Sequence, residues 1–584
     1  MRPLSRLAAL SALLLNACYP PGDGKAPPLD EIYFPTGVAL DGSWKLDAND
    51  NTTKSQYLYV ANSDFDLQYR SSSVISYDLD LLSKVIPQSC NTTADCRDDK
   101  VCDAPGTAGL PAERNPTYYC VNKEFDSAGK LKVCGALGER DEADLVLYPG
   151  RCNWIDPVNP QDGSTSLKVG SVGIGAFAAD VVWRGNCAIK STEGNCEDPS
   201  RLFIPVRGDS TLHWVDVRPK VDGQPGVELY CGHNDDGEDG CDDQHRAGDN
   251  PEGQVGIPTQ PSEPFAIDAT ADGQYVVVTN QTSGTVSLYV NDWRPGFGPE
   301  LKALAGGLPI APVGVAAIPE PRFADTSVPS TYEPAFLVTY RNAAQVDLLR
   351  VHADEPYDPM RPDADLVRRY VLQRAGSVPV NANSLNFDQR GIAIDDSQRL
   401  ADYKTCDEQA AQCTSANCAD EYKYCLRTVR QPAVFAASRA PASMLVGALN
   451  TDLNYASGTS ELPGFMDSLP LSFGPSRVIT GMVRVQGTKY HDDGDYDLES
   501  RVFIVCFDSR RIFVYDPKKH LIEAIVSTGR GPHALAVDGE RGLAYLAHFT
   551  DSYLGVISLD QRFPQTYAAI IASIGAPKAP RSSK

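Results

Sequence analysis

The stretch GPHALAVDGERGLAYLAHFTDSYLGVISLDQRFPQTYAAIIASIGAP, residues 531–577, decides the fold. It contains four short apolar segments with alternating side chains, and turn-forming residues separate them: HALAVD, GLAYLAH, YLGVISLD and TYAAIIASIG. Segments of this kind predict β-strands. The pair Asp538-Gly539 predicts a two-residue hairpin turn, because Asp-Gly accepts the positive φ angles of such a turn. One four-stranded sheet cannot bury both of its faces, so the pattern requires further copies.

Further copies occur upstream. Residues 263–293 repeat the order of proline, strand, Asp-Gly, strand and third strand, and residues 34–80 begin with the similar phrase FPTGVALDG. Four less regular copies begin at Ala311, Gly474, Gly173 and Arg390. The sequence therefore predicts seven units, although one misread unit would change the number to six or eight.

The repeated phrase combines G-x-P before an apolar strand, an Asp-Gly turn and a strand of the type Leu-Tyr-Val-x-Asn. It resembles the repeat of YVTN/NHL-type β-propellers, and the resemblance covers most of residues 31–577. It implies an all-β fold, a seven-bladed β-propeller whose excess length lies in loop insertions. An apolar content of 42% is sufficient for the shared core of such a ring.

The charge of the chain bears on its partners. A net charge of −23 and a pI near 4.8 argue against nucleic acid as a partner, and against direct electrostatic attachment to anionic lipid. Both partners require clustered Lys and Arg.

The first residues predict export. Residues 1–17, MRPLSRLAALSALLLNA, have two arginines and then an apolar run too short to span a bilayer, which is typical of a signal peptide. Residues 15–18, LNAC, resemble a bacterial lipobox, although Asn16 is unusual there. The resemblance implies cleavage before Cys18 and attachment of lipid, such as palmitate, to the new terminus. An ordinary secretory signal is the alternative.

The anchored protein is expected to be extracytoplasmic. The residue after the cysteine is Tyr19 and not Asp. Under the common enterobacterial sorting rule for lipoproteins, this implies the bacterial outer membrane or cell surface. Residues 18–30 are rich in Pro and Gly and are predicted to form a flexible tether. Residues 31–577 are predicted as the propeller and residues 578–584 as a disordered tail.

Sixteen cysteines agree with an oxidising compartment. Cys506 lies in an apolar strand and is predicted to be a buried free thiol. A Cys-rich insertion is predicted at residues 85–160, within blade 1. It contains Cys90, Cys96, Cys102, Cys120, Cys134 and Cys152. Six cysteines allow fifteen pairings, so these stay open. A zinc site is not favoured, because the insertion has no C-x-x-C and no His.

A second insertion, residues 401–428, is predicted to be a helical hairpin within blade 5. Its cysteines form two seven-residue steps, each of which is about two turns of helix, so each pair lines one side of a helix. This symmetry predicts the disulfides Cys406–Cys425 and Cys413–Cys418. Two further loops are predicted to be closed by Cys187–Cys196 and Cys231–Cys241.

Two acidic loops are candidates for calcium, because dense carboxylates around glycine suit a hard cation. The first carries Asp235, Asp236 and Asp239, and the second carries Asp493, Asp495, Asp497 and Glu499. Neither loop has EF-hand spacing, and solvated acidic loops are the alternative. Calcium is the only cofactor that the sequence suggests.

The resemblance also implies a ligand face, where loops enter the first strand and leave the second strand of each blade. It nominates polar residues at those positions: Asn62, Asp64, Arg207, Asp209, Asn280, Arg341, Asp508, Arg530, His533 and His548. A polar ring at the mouth of a closed sheet is a candidate pocket. The alternative is that Asn or His at the end of a strand caps the backbone.

No nucleophile elbow, H-E-x-x-H motif or Gly-rich phosphate loop occurs in the sequence. The favoured interpretation is a membrane-anchored binding or scaffolding module, with a protein, a glycan or another envelope polymer as partner. A calcium-dependent hydrolase or lactonase with its metal in the central funnel is the alternative. A surface shield or adhesin without a small-molecule site is a third interpretation. Fold alone does not select among them.

Overall fold

The structure is a computed structural model. It describes residues 25–42, 55–86, 101–103, 119–121, 154–159, 165–190, 196–220, 226–232, 240–250, 258–320, 333–354, 369–380, 387–414, 417–449, 462–491, 494–564 and 566–578, and it describes only the backbone of residues 101–103, 119–121, 154, 186–190, 196–199, 488–491 and 494–495. The signal peptide, Cys18, most of the tether and the tail lie outside these ranges.

The described chain forms seven blades in chain order, each built on four antiparallel strands. A fifth strand joins the sheets of blades 2 and 7, and β4 and β5 form a separate two-stranded sheet. It is a seven-bladed β-propeller, which confirms the predicted fold and selects seven blades over six or eight. The innermost strands of neighbouring blades lie side by side around a central channel.

The first half of the ring contains blades 1 to 3. Blade 1 contains β1 (Pro35–Leu40), β2 (Tyr57–Asn62), β3 (Ser72–Asp78) and β7 (Lys168–Ile174), and its insertion contributes α1 (Leu79–Val85), β4 (Val101–Asp103), β5 (Tyr119–Val121) and β6 (Trp154–Ile155). Blade 2 contains β8 (Val182–Lys190), β9 (Cys196–Val206), β10 (Thr211–Pro219) and β11 (Val227–Tyr230), with a 3₁₀ turn (Asp243–His245) and β12 (Arg246–Ala247). Blade 3 contains β13 (Pro264–Ala269), β14 (Tyr275–Asn280), β15 (Thr285–Asn291) and β16 (Pro299–Ala305).

The second half contains blades 4 to 7. Blade 4 contains β17 (Pro312–Ala317), β18 (Ala335–Tyr340), β19 (Ala343–Ala353) and β20 (Tyr370–Pro379). Blade 5 contains β21 (Asp388–Asp395), β22 (Ala433–Ala440), β23 (Ser443–Leu449) and β24 (Pro463–Pro470), with α2 (Ser397–Gln412) and α3 (Cys418–Arg427) inserted after β21. Blade 6 contains β25 (Arg477–His491), β26 (Gly494–Cys506), β27 (Arg511–Asp516) and β28 (Leu521–Ser527). Blade 7 contains β29 (Pro532–Asp538), β30 (Leu543–His548), β31 (Tyr553–Ser558) and β32 (Ile570–Ile574).

The core lies between the blades. Each of the seven interfaces between neighbouring blades has its own cluster of buried apolar side chains. Between blades 7 and 1, Leu58 and Val60 pack with Tyr545 and Val556, and all four are fully buried. Because a single blade would expose both faces of its sheet, the ring must close for these clusters to form.

The ring closes with the help of the insertion of blade 1. Its strand β6 pairs in parallel with β32, so that Trp154 lies opposite Ser573 and Ile155 opposite Ile574. The backbone N–H of Gly575 extends this pairing by donating to the carbonyl of Ile155 at 2.9 Å. The insertion therefore covers the outer edge of the last blade, which would otherwise present unpaired backbone groups to other chains.

The turn at Asp538-Gly539 differs from its prediction. β29 ends at Asp538 and β30 begins at Leu543, so four residues connect the strands instead of two. The positive φ of 63° falls on Gly542, which packs close to the Arg484 side chain. The Asp538 carboxylate stabilises the longer turn by accepting the Arg541 N–H at 3.1 Å.

The helical hairpin has the predicted disulfides. Cys406–Cys425 and Cys413–Cys418 both form with Cα atoms 5.7 Å apart, and Cys231–Cys241 forms in blade 2. The hairpin also has a small core of its own. The Cys187 and Cys196 side chains, and those of the blade 1 insertion, lie outside the described residues.

Cys506 is a buried free thiol, as predicted. Burial raises its pKa to about 12, so the sulfur is protonated and unreactive at neutral pH.

Buried arginines join the strands of two blades at equivalent positions. Arg201 in blade 2 lies opposite Asp216 and binds its carboxylate at 2.9 Å, while its guanidinium lies over the Trp214 ring. Arg501 in blade 6 likewise pairs with Asp516 of the next strand, at 3.3 Å. Each arginine precedes the last residue of its strand by five positions, so the blade repeat itself places these ion pairs.

None of the helices in the part of the chain that the structure describes is long and apolar enough to cross a membrane.

Candidate functional site: the upper mouth of the propeller

The upper mouth is the end of the channel where chains enter the first strand and leave the second strand of each blade. In four blades the residue directly before the first strand adopts a left-handed conformation, and its carbonyl accepts the N–H of the residue that follows the second strand. In blade 2 the same bond is made by Phe177, which precedes an isolated bridge at Ala178. These pairs are Phe34 and Ser63 (3.0 Å), Phe177 and Arg207 (3.1 Å), Glu263 and Gln281 (2.9 Å), Ala311 and Arg341 (2.9 Å), and Gly531 and Phe549 (2.8 Å).

This repeated bond explains the glycine in the sequence motif of blade 7. Gly531 has φ of 67°, and an added Cβ would lie 2.2 Å from the Thr550 hydroxyl oxygen and 2.8 Å from the Thr550 nitrogen. Other residues at the equivalent position are non-glycine and place their side chains at the mouth instead.

Phenylalanines occupy one side of the upper mouth. They come from blades 1, 2, 6 and 7, and we name this set the phenylalanine cluster: Phe34, Phe65, Phe177, Phe507 and Phe549. The Phe65 and Phe549 ring centroids are 5.2 Å apart in an edge-to-face arrangement, and Phe34 and Phe549 are 5.3 Å apart. Phe65 is 55% exposed, and Leu67 in the same loop is 66% exposed. None of these phenylalanines was predicted, because only polar residues were considered at these positions.

His533 lies beside the phenylalanine cluster on the first strand of blade 7. Its ring centroid is 5.9 Å from that of Phe549, and its Nδ1 donates to the Thr36 carbonyl of blade 1 at 2.8 Å. Burial lowers the pKa of His533 to about 4, and the nearby Arg477 guanidinium contributes to the shift. The ring is therefore neutral at pH 7, and its main contact joins the first and last blades.

An ion pair crosses the channel near the mouth. Arg477 begins the inner strand of blade 6 and binds Asp180, which precedes the inner strand of blade 2. Blades 2 and 6 are not neighbours in a seven-membered ring, so the side chains of this pair lie across the opening. Gly37 of blade 1 packs directly against the backbone of Asp180.

Arginines occupy the other side of the upper mouth. Arg207, Arg341, Arg390 and Arg439 come from blades 2, 4 and 5, and we name them the arginine arc. Three of them bind carboxylates: Arg207 binds Glu263 at 3.2 Å, Arg390 binds Asp388 at 2.7 Å and Arg439 binds Asp508 at 2.7 Å. Two predicted residues, Arg207 and Arg341, belong to the arc, and the predicted Asp508 is bound to it. Arg390 and Arg439 of blade 5 were not predicted.

Three predicted residues lie inside the blades instead. Asn62, Asn280 and His548 each end a second strand and are fully buried. The Asn62 amide oxygen accepts the Tyr33 N–H at 3.2 Å, and the Asn280 amide donates to the Thr285 carbonyl at 3.3 Å. These contacts agree with the alternative that residues at this position cap the backbone.

His548 is held at the same position in blade 7. Its ring stacks on the Tyr553 ring at 4.1 Å, and its Nε2 accepts the Gly529 N–H at 3.1 Å. Burial lowers the pKa of His548 to about 3, so this ring is neutral at pH 7.

The remaining predicted residues have local partners. Both carboxylate oxygens of Asp64 accept the Tyr69 N–H at 3.2 Å, and burial raises the pKa of Asp64 to about 6. The Asp209 carboxylate lies 2.7 Å from both the Thr211 hydroxyl and the His213 Nε2. Arg530 binds Asp551 at 2.7 Å.

The acidic loops can be followed only in part. Asp235, Asp236, Asp239 and Asp493 lie outside the described residues, as does the side chain of Asp495. Residues 494–500 belong to strand β26, and Glu499 there binds Lys518 at 2.9 Å and Arg501 at 3.2 Å. Among the side chains that the structure describes, no group of three or more His, Cys, Asp or Glu could hold a metal ion.

No protein-family model matches the sequence, and no curated protein matches it either. Solved structures do resemble the fold. The periplasmic gluconolactonase of Pseudomonas aeruginosa is 11% identical, with coverage of 85% of this chain and 86% of that chain and a TM-score of 0.36. A Bacteroides uniformis protein, provisionally named a 6-phosphogluconolactonase, is 9% identical over 85% and 86% of the two chains, with a TM-score of 0.39. Virginiamycin B lyase from Staphylococcus aureus is 12% identical over 65% and 85%, with a TM-score of 0.28.

Proposed function

We propose that this protein is a binding module whose upper mouth docks a partner protein on the phenylalanine cluster. The observation that carries the proposal is the exposure of Phe65, whose ring packs edge-to-face on Phe549, and of Leu67 in the same loop. Exposed apolar patches of this kind mark interaction sites on soluble proteins. Aromatic residues and arginine are also the residues enriched at the centres of protein interfaces, and both occur at this mouth.

The charge of the chain favours a different protein over a second copy of this one. Two copies would each carry a net charge of −23 and would repel each other. The arginine arc beside the phenylalanine cluster is complementary to a partner segment with apolar and acidic side chains.

The two histidines predicted for the mouth give no support to the hydrolase alternative. A general base works best with a pKa near the working pH. The two histidines predicted for the mouth have pKa values lowered by burial to about 4 and about 3, and both rings are already engaged in hydrogen bonds.

A crosslinking experiment tests the docking proposal. A photoreactive phenylalanine analogue at position 65 should form one dominant crosslink in cells, whereas the same analogue at Tyr424, which is 71% exposed on the helical hairpin, should not. The crosslinked protein, once purified, should bind the Phe65→Ser variant at least ten-fold more weakly than wild type and the Tyr424→Ser variant normally, because a buried aromatic anchor contributes about 2 kcal/mol or more. Equal crosslinking from both positions, or unchanged affinity of Phe65→Ser, would contradict the proposal.

We also propose that the protein is lipid-anchored through Cys18 at the outer membrane or cell surface. The support is the signal-like sequence of residues 1–18. Lys25, the first described residue, pairs with Tyr69 in the loop after the second strand of blade 1, on the side of the upper mouth. The seven residues from Cys18 to Lys25 reach roughly 25 Å at most. Lipidation would therefore hold the upper mouth close to the membrane, so the expected partner is a protein of the envelope surface.

The Cys18→Ser variant should move from the membrane fraction to the soluble fraction after cell lysis, because one signal for anchoring is removed. Mass spectrometry of the wild-type amino-terminal peptide should show the added acyl chains. An unmodified peptide beginning before residue 18, or unchanged membrane association of the variant, would contradict anchoring without affecting the docking proposal.

A further inference from the structure

The four residues of the arginine arc lie at the upper mouth, although they come from blades 2, 4 and 5. Arg207 and Arg341 follow the second strands of their blades, and the backbone N–H of each makes the repeated bond described above. Arg390 lies against blade 4, because its carbonyl is 2.8 Å from the Cβ position of Gly314, and Arg439 is on the strand that pairs with that of Arg390. The electrostatics of Arg341 agree with this placement. Burial lowers the pKa of Arg341, and repulsion by Arg390, Arg439 and Arg207 adds to the effect, while Asp388 opposes it. Residues on blades 2 and 5 can approach a side chain of blade 4 together only near the axis of the ring.

Arg341 differs from the other members of the arc. Each of the other three binds a carboxylate, as described above, whereas the Arg341 guanidinium has no hydrogen bond or ion pair with any residue that the structure describes. The Nε atoms of Arg341, Arg207 and Arg390 are all buried and lack an acceptor, so the missing carboxylate is what distinguishes Arg341. A partly buried guanidinium that lacks an acceptor is costly, and an incoming oxyanion would satisfy it.

We infer that the upper mouth contains a carboxylate site centred on Arg341, which takes an acidic side chain of a peptide segment whose apolar residues lie on the phenylalanine cluster. This inference deepens the docking function proposed above and rests on it. It assigns the chemical class of the partner segment, which is a peptide that combines aromatic and acidic residues.

The charge balance selects a carboxylate over a phosphate. Four guanidinium groups and the three carboxylates bound to them leave one positive charge in excess at the arc. A carboxylate neutralises that charge, whereas a phosphate dianion would reverse it. An arginine fork also binds a carboxylate with two parallel hydrogen bonds, which gives both strength and orientation.

The arc and the phenylalanine cluster meet at two places, so one ligand can contact both. Arg439 binds Asp508, and the next residue in the chain toward the amino terminus is Phe507 of the cluster. At the other junction the Arg207 N–H donates to the carbonyl of Phe177 at 3.1 Å. A short peptide with adjacent aromatic and acidic residues fits this arrangement.

A double-mutant cycle with two blocked peptides tests the site. The probes are acetyl-Phe-Asp-Phe-amide and acetyl-Phe-Asn-Phe-amide, which differ only in the carboxylate. Wild-type protein should bind the Asp peptide at least ten-fold more tightly, because a charge-assisted bond to a guanidinium is among the stronger hydrogen bonds. The preference should fall below two-fold in Arg341→Gln. It should persist in Arg374→Gln, because Arg374 is an exposed arginine on outer strand β20. Equal binding of both peptides to wild type, or a preference that survives in Arg341→Gln, overturns the inference.

If neither peptide binds, the result counts against docking on the phenylalanine cluster. A second measurement then tests the carboxylate site by itself. Phenylglyoxal modifies accessible arginines, and mass spectrometry gives the rate at each site. Malonate should slow modification of Arg341 at least five-fold relative to chloride at the same ionic strength, and it should leave Arg374 unaffected. Protection confined to Arg341 supports the carboxylate site even if docking fails, and absence of protection overturns it. The thermal midpoint of Arg341→Gln should equal or exceed that of wild type, because the substitution removes a charge that its neighbours repel.

Discussion

Replacing Arg501 with Met should lower the free energy of unfolding by about 3–5 kcal/mol. The Arg501 side chain is fully buried between the strands of blade 6, where it binds Glu523 at 2.8 Å and Asp516 at 3.3 Å. Asp516 is fully buried as well. The methionine would leave Glu523 without its cationic partner and would leave Asp516 with only the exposed Lys519, at 3.0 Å. In this poorly solvated site the desolvation penalty of the carboxylates exceeds the attraction that is lost.

Lys518→Met is the matched control. Lys518 binds Glu499, which is also a partner of Arg501, but the Lys518 side chain is 51% exposed. Removing an exposed partner should cost less than about 1 kcal/mol, because water screens the pair. The two variants are to be compared by denaturation with guanidinium chloride, followed by tryptophan fluorescence and circular dichroism. Similar shifts of both midpoints would show that burial does not determine the importance of this arginine.

His548→Asn should destabilise the protein at pH 7, and the loss should shrink as the pH falls. Burial lowers the pKa of His548 to about 3 in the folded chain, whereas an unfolded histidine has a pKa of about 6.5. Between these values the unfolded wild type binds a proton that the folded wild type does not, so wild-type stability decreases as the pH falls. The effect is about 1.4 kcal/mol per pH unit. The asparagine variant lacks this pH-dependent contribution. The difference in free energy of unfolding between wild type and His548→Asn should therefore decrease by about 2–3 kcal/mol from pH 6.5 to pH 4.5.

The comparison of two proteins is needed because other groups titrate in the opposite direction. Burial raises the pKa values of Asp41 and Asp64 to about 6, so these carboxyls stabilise the fold as the pH falls through the same range. Their contribution cancels in the difference between wild type and His548→Asn. Asn280→Ser is the control, because Asn280 occupies the equivalent position of blade 3 and does not titrate. If the effect of His548→Asn is as independent of pH as that of Asn280→Ser, the pKa of His548 is not lowered in the folded protein.

The sequence-based prediction of the mouth was incomplete for a physical reason. Asn280 is the last residue of a second strand, and Arg341 directly follows the last residue of another. Asn280 is fully buried inside its blade, whereas Arg341 belongs to the arginine arc. A strand turns successive side chains to opposite sides, so a shift of one residue decides between cap and mouth. The G-x-P motif alone does not show at which residue the second strand ends, and therefore does not show which side chain faces the mouth.

Local features of the sequence were sufficient for the blades and the hairpin. Alternating apolar strands, prolines before first strands and seven-residue cysteine steps act between residues close in the chain, and they predicted seven sheets, α2 and α3, and the disulfides Cys406–Cys425 and Cys413–Cys418. The buried Arg201 and Arg501 pairs follow from the same repeat, although they were not predicted.

Only the closed ring decided which side chains meet. The phenylalanine cluster, the arginine arc, the Arg477–Asp180 pair and the strand β6 on the edge of blade 7 each join residues that lie on separate blades or at opposite ends of the chain. No local pattern encodes such contacts, because they depend on the number of blades and on the direction in which each inner strand faces the axis. The sequence by itself determined the repeating unit, and the geometry of the ring determined what the units present together at the mouth.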